Sequence, residues 1–113
     1  MIFEQEELQF QLLDVLYFDD ISVEMNTRPR PFCALSLRLD GETVLRMRDR
    51  TIVLRERDLA FFPSKMGYLR HSERDKRIVF HFNLLNIAPH DLEVLHDVRY
   101  DKICPLFEEA LSL

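Results

Sequence analysis

The stretch Phe32-Cys33-Ala34-Leu35-Ser36-Leu37-Arg38-Leu39-Asp40-Gly41-Glu42-Thr43-Val44-Leu45-Arg46 sets the reading of the chain. Leu35, Leu37 and Leu39 recur at every second position, so they share one face of an extended strand, with Ser36 and Arg38 on the other. That parity sends the leucines to the core and Arg38 towards solvent. Asp40-Gly41 then reads as a tight turn, because glycine tolerates positive φ, and Thr43 to Arg48 returns as the partner strand.

Working outward, the same pattern repeats. Downstream, Asp49-Arg50 is a second turn, Thr51 to Leu54 a strand, and Arg55 to Asp58 a polar connection. Leu59 to Phe62 is a short buried strand stopped by Pro63, which cannot donate to a ladder. Ser64 to Gly67 is a turn and Tyr68 to His71 a strand. Ser72 to Lys76 reads as a charged loop, and Arg77 to Asn83 as an aromatic strand. Upstream, Gln9–Leu12, Val15–Phe18 and Ile21–Met25 are strands, before Pro29 and Pro31 break the pattern. The period changes after Pro89: His90–Val98 and Pro105–Leu113 are expected to be short helices. Pro105 sits at a helix start, and Leu106, Phe107, Ala110 and Leu111 lie in one apolar stripe. Short strands at roughly 8–12-residue spacing followed by helices predict a mainly β barrel or jelly roll.

At 113 residues the chain fits one domain. It divides into an N-terminal arm with strands (1–27), a barrel (28–88) and helices (89–113). Its apolar runs fall far short of the ~20 residues that cross a bilayer, and Glu4, Glu6 and Glu7 stand where a signal peptide would be basic. These features predict a soluble, cytoplasmic domain that makes no membrane contact. Cys33 and Cys104 lie far apart with no CxxC pairing, which fits two reduced, buried thiols.

Charge is segregated. Residues 1–27 carry seven acids and no Lys or Arg, whereas residues 28–77 carry thirteen bases against seven acids. The net charge of −5 argues against this stretch gripping nucleic acid by itself. The basic centre is almost all arginine, the cation suited to bidentate carboxylate or phosphate recognition. No GxSxG elbow is present, and two glycines cannot build a phosphate loop. His71, His81, His90 and His96 show no metal-ligand spacing, so neither a metal nor another cofactor is expected.

The runs Leu39–Leu45, Thr51–Pro63 and Ile78–Phe82, followed by Pro105–Leu111, resemble the N-terminal effector-binding domain of AraC-type transcription regulators. The resemblance covers residues 30–113. It implies a cupin-like double-stranded β-helix with one or two short C-terminal helices, which senses a small molecule, forms a homodimer and performs no catalysis. In that family, DNA contact belongs to a downstream domain that this chain lacks. The family's Pro-Gly before the aspartate is Glu56-Arg57 here. The histidines of metal-dependent cupins are replaced by Val44, Leu45 and Arg46, and Tyr68 stands where the later one would fall.

By spacing, the pocket positions of the sugar-sensing member match Arg38, Arg50 and Arg70, which implies an anionic effector. Tyr68 and His81 complete the expected ligand set, and Phe61, Phe80 and Phe82 are further candidates for the cavity wall. Leu106, Phe107, Ala110 and Leu111 are the expected dimer contact. The competing class is a stand-alone small cupin enzyme, an epimerase or lyase using His71 and His81. A filled oligomerisation module is the third possibility.

Overall fold

The computed structural model describes residues 2–96 and 98–113. A single 3-10 turn (Ile2–Glu4) precedes six antiparallel strands: β1 (Phe10–Thr27), β2 (Cys33–Arg46), β3 (Thr51–Leu54), β4 (Leu59–Phe62), β5 (Tyr68–Leu84) and β6 (Glu93–Leu95). One helix, α1 (Tyr100–Ser112), closes the order. The strands form one sheet in the order β1-β5-β2-β4-β6, with β3 paired to the far half of β2.

Three expected breaks are instead points within long strands. Asp40-Gly41 is no hairpin: β2 runs straight through it, paired with β5 on both sides. Leu39 is an extra residue there, and Gly41 adopts φ +87° with Arg74 so close that a Cβ would collide with its carbonyl oxygen. Glycine is required at this position by a bulge and a close backbone approach. Ser72–Lys76, expected as a loop, is the middle of β5, and Asp19-Asp20 is the middle of β1. Glu73 is the extra residue on β5.

Each bulge reverses side-chain parity. On β2 the inward set passes from Ala34, Ser36 and Arg38 to Thr43 and Leu45; on β5 it passes from Arg70 and Ser72 to Asp75, Arg77, Val79 and His81. The bends also roll the sheet, so its inner surface closes on itself.

The outer surface is covered as well. Leu37 and Ile78 pack with Cys104 and Phe107 of α1, and Phe80 stacks on Phe107 with centroids 4.4 Å apart. The central strands are therefore buried on both faces, which is why Arg38 is only 3% exposed despite lying opposite the leucines.

The expected helix at His90–Val98 is replaced by β6, whose Leu95 and Val94 pair with Leu59 and Ala60; its Asp97 lies outside the described residues. α1 begins five residues before Pro105, because the apolar stripe that docks on the sheet starts at Tyr100 and continues through Ile103, Cys104, Phe107 and Leu111. At the other end of the chain, the buried Glu93 carboxylate accepts the Ile2 amide at 2.9 and 2.8 Å, which ties the N-terminal turn to β6.

Candidate functional site: an arginine-lined cavity

The rolled sheet encloses a cavity of about 80 Å³. Its apolar wall includes Phe18, Leu45, Leu54, Phe62 and Val79; its polar wall is built by β2 and β5. The arginines of that wall converge on Asp75, which is fully buried. Arg38 Nη1 donates to Asp75 Oδ1, Arg70 Nη1 donates to Oδ2 at 3.0 Å, and Arg77 Nη1 lies 2.7 Å from Oδ2. Asp20, on β1, stands 3.8 Å from Arg70 Nη2 and 3.5 Å from Arg77 Nη1. Ser72 Oγ reaches Asp75 Oδ2 at 3.4 Å and shares a hydrogen bond with the Thr43 hydroxyl.

The electrostatics follow from burial. Burial alone would raise the Asp75 pKa, but the guanidinium groups of Arg38, Arg77 and Arg70 outweigh it and hold the carboxyl below its ordinary value. Burial lowers the pKa of Arg38 against the pull of Asp75, and lowers that of Arg70 with help from Arg77. Both remain cations at neutral pH because guanidinium starts so high. Two buried cations and the part-buried Arg77 thus face two carboxylates. The Nε–H groups of Arg38 and Arg70 are buried without a hydrogen-bond partner, which is rare in folded interiors.

His81 forms another part of the wall. Its Nδ1 lies 2.8 Å from Asp14 Oδ1, and its ring packs against Phe32 at 4.6 Å. Burial lowers its pKa, with Asp14 opposing, so the neutral imidazole is favoured.

The expected ligand residues therefore separate. Arg38, Arg70, Tyr68 and His81 line the cavity; Arg50 does not. Arg50 is exposed on the outside, its Nη2 3.5 Å from the Leu92 carbonyl, because the turn after β2 carries it past the sheet edge. Phe61, Phe80 and Phe82 face outward: Phe61 pairs with Leu35 and Phe80 docks on α1, whereas their neighbours Phe62 and Val79 point in. The inward phase of these strands falls on Phe62, Val79 and His81.

Asp75 and Arg77 join the site unexpectedly: Asp75 lies in a charged run that resembles a solvated loop, and Arg77 opens the aromatic strand that follows it. The usable signal was Arg70-x-Ser72 followed by Asp75-x-Arg77, polar residues at alternate positions with one slip between them.

The proposed helix stripe also divides. Phe107 is 5% exposed and Leu111 packs against the sheet, whereas Leu106 is 63% exposed.

Among the described residues, no three His, Cys, Asp or Glu side chains converge as a metal-binding group. The cavity wall supplies one imidazole, and the adjoining Asp75 carboxylate is already held by three cations. That donor set does not fit a divalent metal, which prefers uncommitted anionic or neutral donors.

A jelly-roll sheet rolled around a polar interior is a cupin-like fold, and solved structures agree. A cupin superfamily protein from Desulfitobacterium hafniense DCB-2 aligns at TM-score 0.51 with 16% identity, over 74% of this chain and 82% of that one. A cupin 2 domain-containing protein from Halorhodospira halophila aligns at TM-score 0.51 with 12% identity, over 96% and 85%. No family profile matches the chain, and comparison with curated proteins gives no significant match. No helix of the described residues is long and apolar enough to cross a membrane.

Proposed function

We propose that this chain is the small-molecule-sensing domain of a transcription regulator of the AraC type, with the cavity as its receptor site and no catalytic activity. The observation that carries this reading is a buried polar interior holding two unpartnered Arg Nε–H groups. Such unpaired donors are uncommon in folded interiors, and the arginines that carry them line the cavity. Support also comes from the motif resemblance and from a donor set that suits recognition better than metal chemistry. DNA contact would fall to another module, since the chain carries a net charge of −5.

The cavity is well below the ~300 Å³ of a typical metabolite pocket, so the effector is small or enters as the sheet opens. Occupancy would shift the population of rolled conformers, and β1, which contributes Phe18 and Asp20 to the site, would carry that shift to the surface. The homodimer contact then moves from α1 to β1. This edge strand exposes Phe10, Ile21 and Met25 and pairs only with β5 among the described residues, leaving its outer edge open to a second β1.

The test is thermal-shift screening of the chain against acidic, neutral and basic metabolites, followed by hydrogen exchange on any hit. Stabilisation with slower exchange along β1 and β5 is expected. A screen in which no compound of any class stabilises the fold would overturn the reading.

The second reading, a small cupin enzyme, rests on the His81–Asp14 pair, a neutral imidazole oriented by a carboxylate. It predicts turnover that disappears in His81→Gln; the sensing reading predicts no turnover in the parent chain.

A further inference from the structure

We infer that two copies of this chain pair antiparallel along their β1 edges, centred on Phe18, so that one continuous sheet runs through the dimer. The inference rests on the reading that places the homodimer contact at β1, and it adds the register and the residues that meet.

β1 has the character of a central strand placed at an edge. Among the described residues it pairs only with β5, which leaves the backbone groups of its other side without a strand partner. Apolar side chains occupy both of its faces, yet none of its 18 residues is buried, whereas β2, β4 and β5 all bury residues. Leu16, opposite Val79 on the inner face, is 36% exposed; Tyr17 and Ile21 on the outer face are 45% and 69% exposed. A strand laid along this edge covers both faces. The usual guards of a free edge are missing, since β1 holds neither lysine nor proline.

The irregular points of β1 select a second copy as that strand. They are the extra residue Leu13 and Ser22, whose φ is +54°. The two bracket a regular run, 14–21, and lie nearly symmetrically about Phe18. An antiparallel copy therefore brings its own irregular points to the ends of the same run. Charge permits the pairing, because the acids of the run are already paired from within. Asp14 meets His81, Asp19 meets Arg74, and Asp20 meets Arg70 and Arg77.

Charge also sets the register. Centred on Phe18, Val15 faces Ile21 of the second copy, Leu16 faces Asp20 and Tyr17 faces Asp19, so no acid stands opposite an acid. Centring on Tyr17 would set Asp14 against Asp20, and centring on Asp19 would set it against itself; like charges directly opposite are destabilising. Centring on Leu16 would run the ladder through the bulge at Leu13. Phe18 lines the cavity, so its position on the axis brings the walls of the two cavities together.

Sedimentation equilibrium of the full chain reads the oligomeric state, and disulfide trapping reads the register. Val15→Cys and Ile21→Cys are made as separate variants, each keeping the buried Cys33 and Cys104. Under mild oxidation their mixture should give a cross-linked dimer on a non-reducing gel, and neither variant alone should. Ile21→Lys, at an exposed position, should keep the parent's circular dichroism spectrum and weaken dimerisation roughly tenfold. Should that variant not fold, the trapping experiment decides alone. A parent chain that stays monomeric into the millimolar range overturns the inference and leaves the receptor reading to the ligand screen. A dimer without the mixed cross-link, or a cross-link of either variant with itself, overturns the pairing about Phe18 equally.

Discussion

Asp75 joins more of the chain's charge than any other residue, and its loss is the most informative substitution. Asp75→Asn would leave Arg38, Arg70 and Arg77 facing one another around a neutral amide. Removing one member of a buried ion cluster costs about 3–5 kcal/mol, so urea unfolding should show a loss of that size. The same residue predicts an acid response. Its folded pKa lies below the ordinary 3.8, so its stabilisation is complete above that value and is lost as pH falls through the folded pKa. His81 acts in the same direction at higher pH: its folded pKa lies below 6.5, so the unfolded chain takes up the proton first and stability declines as pH drops below 6.5. Melting temperature against pH should fall in two steps, and His81→Gln should remove the upper one. Gly41→Ala places a Cβ against the Arg74 carbonyl at φ +87° and should cost at least ~1–3 kcal/mol by thermal unfolding.

At the scale of elements, what the sequence revealed and what it concealed have separate physical causes. Strands bounded by proline or by polar turns, such as Leu59–Phe62 before Pro63 and Thr51–Leu54 after Asp49-Arg50, were legible because their ends are chemical events in the chain. The long strands were not. Asp-Gly and Ser72–Lys76 have turn composition, but long-range pairing between β2 and β5 overrode local preference and turned the irregularities into bulges. The same bulges concealed the site, since a single slip in parity moves Asp75 and Arg77 onto the face of Arg38. The period of the helix was legible, and within the folded chain Phe107 and Leu111 of its stripe pack on the sheet. Phe107→Ala should therefore cost about 3–5 kcal/mol in unfolding experiments, as a buried, stacked ring does, while Leu106→Glu should lie within ~0.5 kcal/mol of the parent. If Leu106→Glu instead abolished self-association measured by sedimentation, the helix would be restored as the dimer contact.

Across the whole molecule, the acidic N-terminal quarter and the basic centre are complementary parts of one sheet rather than separate surfaces. β1 supplies Asp14, Asp19 and Asp20, and β5 supplies the arginines and the histidine they meet. Salt should therefore loosen β1 before it affects the buried Arg38–Asp75 contact, since half-exposed pairs are screened far more than buried ones. Amide exchange at 0.1 M and 1 M sodium chloride should show faster opening of β1 with β2 unchanged. The clasp between Glu93 and the Ile2 amide has a practical corollary for anyone handling the protein. Trimming the first handful of residues would not shorten a loose tail; it would remove the Ile2 amide that donates to a carboxylate sealed beneath the sheet's far edge. Affinity handles and boundary redesign are better kept away from that end.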